Sequence, residues 1–417
     1  MLRWRHARVR ELRKTAHEAR ADIRRLFEED TRNRRGGEPG WGQFLDGPKD
    51  PRGSYGTSAG VQVLAMDGYP IEGPGLGEAL TYLSNLPTRE DPETRADLLV
   101  TYKLSSLAEA TEPASSSIND PCPVMDELVR RCAPIGGWAE SSGEDWTPQF
   151  LATAVALHAL RRYPRFGRSE SCVRSLKLLS KLVIDEESRL RPSEVALGAI
   201  VLTHPWPSRG EVPEVETATK RCKNRLNIWT RARREESLGY PDMFIFRSRG
   251  DNRYLILLPD CLTALALLQL DPANCLRGFV PKAVNFFAKT VRAGAGFRSP
   301  ITARVSTVDH LWLARLFRAY EEATEDEIPS PGVGFKTGIP LAVGHAVGAA
   351  LMIFLNKTSL IPYSGALGAL GLGLLGVSLG YLVYAAKHRL LRVILGAEAS
   401  VFLALLARLL YDMVKGG

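Results

Sequence analysis

The sequence contains no Cys-x-x-Cys pair. Its six cysteines, at positions 122, 132, 172, 222, 261 and 275, lie far apart. That spread argues against a disulfide framework and suits reduced thiols in a cytosolic compartment. An apolar leader is also missing. The first forty residues are charged throughout, so no secretory signal peptide is expected. No P-loop, no Gly-x-Ser-x-Gly, no His-Glu-x-x-His and no Rossmann fingerprint is found. The glycine run GALGALGLGLLG lies inside an apolar stretch, where it reads as helix packing and not as a phosphate cradle. Long basic runs with interleaved aromatics are lacking, and the net charge of +8 is moderate, so nucleic acid is not an expected partner. The most basic internal patch, RCKNRLNIWTRARREE, reads as a solvated helix face or as a site for an anionic ligand or lipid headgroup.

Strand-type alternation is scarce as well, and helical spacing takes its place, as in Leu176, Leu178, Leu179 and Leu182. A unit recurs. In GGWAESSGEDWTPQFLATAVALHALRRY, Trp138 follows two glycines and Thr153 opens an apolar run. In GWGQFLDGPKDPRGSYGTSAGVQVLAM, Trp41 and Thr57 repeat that layout. PDCLTALALLQL repeats the helical part at Thr263, with looser copies at Ser193 and Thr307 and a sixth start near Thr94. A period of roughly 40–50 residues in helical sequence implies helical hairpins, closed as a ring or open as a solenoid. The Thr or Ser oxygen would satisfy a free N–H near the helix start. Ala154, Ala156 and Ala159 would let helices approach, and the Trp would plug the gap between hairpins.

Gly-Trp, a loop, then Thr-Ala-x-Ala-Leu-x-x-Leu resembles the repeat of the α/α-toroid superfamily of terpenoid cyclases and protein prenyltransferases. The resemblance covers about residues 40–320 and is clearest at Trp41 and Trp138. It implies an all-α ring of helical hairpins around a central cavity. The cyclase acid motif Asp-x-Asp-Asp is missing, and so is Asp-Asp-x-x-Asp, which counts against a cyclase. Prenyltransferases hold zinc with Asp-x-Cys and a His on the next inner helix. Here Cys261 and His310 stand at equivalent points of consecutive units. Asp260, however, is adjacent to Cys261, and Pro259 occupies the family's Asp position. On the resemblance, Asp260, Cys261 and His310 are the candidate metal ligands, and Asp309 could orient the imidazole. Asp260 and Asp309 are also the only catalytic candidates. The plainer reading makes Cys261 a buried small residue and His310 a polar residue at a helix start, with no cofactor. Asp145, Glu194, Asp260 and Asp309 precede or open inner helices. They either complement helix dipoles or, with His310, form a polar rim around a ligand cavity. His158 and His204 show no partner pattern and read as structural.

The chain divides by composition. Residues 1–39 form a basic amphipathic helix, with Val9, Leu12, Ala16, Ala19, Ile23, Leu26 and Phe27 near one face. That face packs on the ring or on a partner helix, or lies on a membrane surface. Residues 40–322 are the toroid-like repeat and 323–337 a linker. Residues 338–417 are a membrane region, with spans at about 339–355 and 360–386. Residues 391–414 form an amphipathic interfacial helix or a third span. His345 is a packing or proton-sensitive group in the first span. Glu398 and Arg408 would be functional in a third. Lys387, Arg389 and Arg392 after the second span, against Lys357 alone between the spans, put the repeat on the cytoplasmic side of the inner membrane.

Two functions of different class follow. In the first, the chain is a membrane-anchored sensing or interaction protein. Its ring binds a small molecule or partner protein, and its glycine-rich spans anchor, self-associate or act as the effector. By architecture this resembles bacterial effectors, as in anti-phage defence. The alternative is a membrane-associated enzyme of isoprenoid or prenyl-transfer type, against which the missing acids count.

Overall fold

The computed structural model describes residues 2–33, 40–46, 53–66, 76–84, 98–111, 123–139, 149–161, 163–186, 189–233, 237–248, 251–293 and 296–325. The chain divides into two units, 1–324 and 325–417. The expected membrane region, with both spans and the 391–414 helix, lies outside the described residues. So does nearly all of the 323–337 linker. Among the described residues no helix is long and apolar enough to cross a membrane.

The described residues are mostly helical, as expected. They form α1 (Leu2–Asn33), α2 (Ser54–Met66), α3 (Leu76–Ser84), α4 (Leu98–Thr111), α5 (Pro123–Arg130), α6 (Phe150–Leu160) and α7 (Pro164–Gly167). These continue into α8 (Glu170–Asp185), α9 (Pro192–Thr203) and α10 (Glu214–Ala232). A hairpin, β1 (Asp242–Ser248) and β2 (Asp251–Leu257), precedes α11 (Pro259–Leu270), α12 (Phe279–Ala293) and α13 (Thr307–Glu325). The antiparallel register runs from Asp242↔Leu257 to Ser248↔Asp251. This hairpin departs from the purely helical expectation. Its signal was present: Phe244-Ile245-Phe246 and Tyr254-Leu255-Ile256 flank Arg249-Gly250, aromatic and β-branched runs on either side of a turn dipeptide.

Two kinds of helix alternate. Every residue of α6 is buried, and α9 and α11 are buried along nearly their whole length. By contrast α10 buries only Val215, Ala218, Cys222 and Leu226, and α12 likewise buries one stripe. The all-round buried helices pack in sequence, α2 on α4, α4 on α6, α6 on α9 and α9 on α11. Ala152, Ala156, Ala196, Ala199, Ala264 and Ala266 are buried in this series, and such small side chains permit close approach. The one-faced helices cover it: α3 and α5 on α4, α8 on α6 and α9, α10 on α9 and α11, and α12 on α11.

The first helix belongs to the covering layer. α1 packs along α12 and buries Val9, Leu12, Ala16, Ala19, Ile23 and Phe27. Arg20 forks onto Glu321 of α13 with two bonds of 3.0 Å, and Arg292 reaches Glu18 at 2.7 Å. The amphipathic face of α1 is thus spent on the protein itself. The loops repeat that junction: Leu45 N–H donates to the Val305 carbonyl, and Thr307 N–H donates to that of Gln43.

The repeat recurs in atomic detail. The Trp41 N–H donates to Thr57 Oγ1 at 3.1 Å, and the Trp138 N–H to Thr153 Oγ1 at 3.1 Å. The indole N–H of Trp41 donates to the Phe27 carbonyl of α1, and that of Trp138 to the Leu128 carbonyl of α5, each at 2.9 Å. Each Trp therefore ties the preceding covering helix to the next buried helix. The threonine serves the loop and not its own helix's first turn. Gly60 is required by the same contact, since a Cβ there would lie 2.3 Å from the Trp41 ring. Gly136 has φ +95°, and a Cβ would meet the Arg174 backbone at 2.6 Å. The start expected near Thr94 lies outside the described residues. Helix α4 begins at Leu98, and its Thr101 holds the fourth position, as Thr57 and Thr153 do in theirs.

Replacing Thr153 by Val leaves the buried Trp138 N–H without its acceptor at nearly constant volume. The expected loss is about 1–3 kcal/mol, with Thr153→Ser close to wild type. Denaturant unfolding of the full chain, followed by tryptophan fluorescence, measures both.

Candidate functional site

The loop-to-helix bond explains two of the sequence candidates. In two later units the loop N–H finds a different acceptor. Gly239 N–H donates to Asp260 Oδ2 at 2.8 Å, and Phe297 N–H donates to His310 Nε2 at 2.9 Å. Asp260 and His310 therefore fill the place of Thr57 and Thr153. Asp260, fully buried, also accepts two bonds from Arg233, at 3.0 and 2.8 Å. His310 accepts at Nε2, so its Nδ1 carries the proton and donates to the Ser306 carbonyl at 2.7 Å. Burial depresses the imidazole to about 4, which keeps it neutral in this role.

Cys261 is buried, and burial together with the charges of Asp309 and Asp260 pushes its thiol well above the usual range. Among the described residues no group of three or more His, Cys, Asp or Glu side chains could hold a metal ion. The five described cysteines are free. Glu194 accepts from the Arg191 N–H at 2.7 Å and caps α9. His204 packs edge-on against Trp206. Asp145, His345, Glu398 and Arg408 lie outside the described residues. Asp309 is buried beside Cys261. Burial lifts its carboxyl to about 7 against the opposing pull of the Ser306 hydroxyl.

A second buried cluster joins four helices. His158 Nδ1 of α6 lies 2.7 Å from Glu109 Oε1 of α4. The other carboxylate oxygen accepts from Arg315 of α13 at 2.8 Å. Arg315 also donates to the side-chain oxygen of Gln62 on α2, whose amide reaches the Ser106 carbonyl on α4. Trp312 closes the group, with His158 at 5.3 Å between ring centres and the Arg315 guanidinium 4.6 Å over its ring. Burial opposes ionisation of Glu109, but the field of Arg315 and the hydrogen bond from His158 prevail and hold its carboxyl well below the ordinary range. Burial and the nearby Arg161 depress His158 to about 3. The working state is an ionised Glu109 paired with Arg315, and a neutral His158 donating Nδ1–H to the carboxylate.

Helices α2 and α13 run parallel through this cluster, because Arg315 meets Gln62 and Arg318, one turn on, donates to the Met66 carbonyl. Ser58 stands one turn before Gln62, and Ser105 and Thr101 one and two turns before Glu109, at the i, i+4 spacing that shares a helix face. All three are buried, and their hydroxyls have no hydrogen-bond partner. The indole N–H of Trp312 is likewise buried and unpartnered.

The sequence singled out His158 as structural and passed over Gln62, Glu109, Trp312 and Arg315. The available signal was Thr101-x3-Ser105-x3-Glu109, a polar stripe on an otherwise apolar helix. Comparison of the chain with protein-family models, curated proteins and solved structures finds no match.

Two outcomes follow. The purified protein is expected to carry no stoichiometric zinc, and His310→Ala to lower the unfolding midpoint equally with and without chelator, as metal analysis and thermal unfolding would show. Asp309 has its pKa raised on folding, so its stabilising contribution is complete below the free-carboxyl range, near pH 4, and is lost as pH rises to about 7. Wild type should therefore lose stability relative to Asp309→Asn across that window, by no more than about 1.4 kcal/mol per pH unit. Parallel unfolding curves at several pH values measure the difference.

Proposed function

We propose that the chain is a membrane-anchored sensing or interaction protein. Its described helices form a closed, α/α-toroid-like ring that binds a ligand inside, and its C-terminal apolar segments anchor it or act as its effector. The observation that carries the reading is the buried Glu109–His158–Arg315–Gln62 network, with unpartnered buried polar groups on the same α2, α4 and α13 helices. Buried charge costs stability unless fully matched, so unmatched polar groups beside such a network favour a site over a scaffold. Closure of the ring is supported by α1 packing along α12 and by the backbone bonds between 43–45 and 305–307. Membrane anchoring rests on the apolar runs at 339–355 and 360–386 and on the charges that flank them. Self-association through the glycine-rich spans and a setting in bacterial defence belong to the same proposal.

An isoprenoid or prenyl-transfer enzyme is the weaker reading. It would draw on Asp260, Cys261 and His310, and Asp260 and His310 are already held by Arg233, Gly239, Phe297 and Ser306.

Expressed in bacteria, the full chain should remain with membranes through an alkaline carbonate wash. A chain stopped after Thr324 should be released by the wash. Release of the full chain by carbonate overturns the anchoring.

A further inference from the structure

We infer that the outward face of α10, with the exposed side chains around its C-terminal half, binds an anionic lipid surface. Helix α10 is acidic only at its start, at Glu214 and Glu216. From Thr217 to Arg234 the chain carries seven cations and no acid. Glu235 and Glu236 follow, outside the described residues. Arg221 and Arg225 are engaged by the Ile184 and Leu190 carbonyls, and Arg233 by Asp260. Lys220, Lys223 and Arg231 make no ion pair with a described residue. Elsewhere such cations are matched along their own helix, as Lys14 is by Glu18, Arg24 by Glu28 and Arg318 by Glu322. The helix dipole accounts for a cation in the last turn, such as Arg231, and not for Lys220 or Lys223.

Apolar surface accompanies the charge. Lys220, Asn224, Ile228 and Arg231 follow the spacing of one helix face, and all four are exposed. Ile228 is 68 % exposed, the most of any large apolar side chain among the described residues. Two more exposed side chains are tied to its neighbour, the half-buried Trp229. The Trp229 ring meets Phe279 edge-on at 5.9 Å, and Phe279 stands three residues after the exposed Leu276. Arg233 lies 4.7 Å over the same ring and shares Asp260 with the Gly239 N–H, one residue before the exposed Tyr240. Arg277 and Lys282, either side of Phe279 in the chain, add two exposed cations. Charge complementarity selects an anionic occupant, and the apolar side chains select its kind. At a leaflet surface the cations meet headgroups, while Ile228, Leu276 and Tyr240 enter at the headgroup level. The phosphates of a nucleic acid would use the cations and leave Ile228 without a role. This surface is separate from the buried network and does not depend on the C-terminal anchor.

The test uses the full chain with the photoreactive residue p-benzoylphenylalanine in place of Ile228 or, for comparison, of the exposed Ile135. Each is combined with vesicles of phosphatidylcholine, alone or mixed with phosphatidylglycerol. After illumination, mass spectrometry is expected to find lipid adducts at 228 in the anionic vesicles. Neutral vesicles or high salt should give several-fold fewer, and position 135 should show no such dependence. Lys223→Ala combined with Arg231→Ala should lower the yield at 228 by about tenfold or more, since each cation at an anionic leaflet counts for about fivefold in affinity. The headgroup and salt dependence are read without that double variant, so a folding defect in it would not hide the answer. Equal adducts with and without phosphatidylglycerol overturn the inference, and so does the lack of a lipid adduct at 228. Crosslinking at 228 to a second copy of the chain, or to an added RNA oligomer, in place of lipid gives the face to another partner and also overturns it. A chain that carbonate releases, but that still forms salt-sensitive adducts at 228, loses the anchor and keeps this surface.

Discussion

One hydrogen bond organises this fold: the N–H of a loop residue donating to a buried side chain in the first turns of the next helix. It occurs at Trp41, Trp138, Gly239 and Phe297, and its acceptors are Thr57, Thr153, Asp260 and His310. Each of these acceptors is fully buried, so an unfilled loop donor there would have no water to turn to. The bond must be made, but what makes it is free to vary between hydroxyl, carboxylate and imidazole. Variation at this point resembles chemistry when seen in one dimension. Asp260 and His310 are two of the three candidate metal ligands, and each of them holds a loop.

The buried series changes character along the chain. From α4 to α11 the neighbours are alanine, glycine and short aliphatic side chains, and the helices lie close. At α13 the contacts are made instead by Trp312, Arg315, Arg318 and Tyr320, whose hydroxyl donates to the Cys275 carbonyl. Long side chains span the gap that small ones close elsewhere. Ion pairs and carbonyl bonds carry this junction, each worth little when wet and more when enclosed. The polar cluster is thus also the place where the last helix is joined to the first two.

The helical class and the two clearest units were legible because glycine, tryptophan and threonine sit at fixed offsets, and each has one physical job. Helix starts were legible to within a few residues, as the offset between Thr94 and Leu98 illustrates. The hairpin at 242–257 was missed because two seven-residue strands are overwhelmed by the helical period around them. The central cluster was missed for a different reason. Gln62, Glu109, His158 and Arg315 stand one per helix, separated by up to 253 positions. Only the tertiary register of the helices brings them together. No local pattern encodes that register, although the Thr101–Ser105–Glu109 stripe marks one of its edges.

The contact between α1 and α12 bears on synthesis. The apolar face of α1, Val9 to Phe27, is covered by a helix that begins at Phe279. At about 5–20 residues per second, the roughly 250 residues between them keep α1 waiting about 10–50 s for its partner. During that time an arginine-rich amphipathic helix is exposed on the ribosome. Its dense charge would keep it solvated, and that gives the basic residues of the N-terminus a task that ends once the protein has folded.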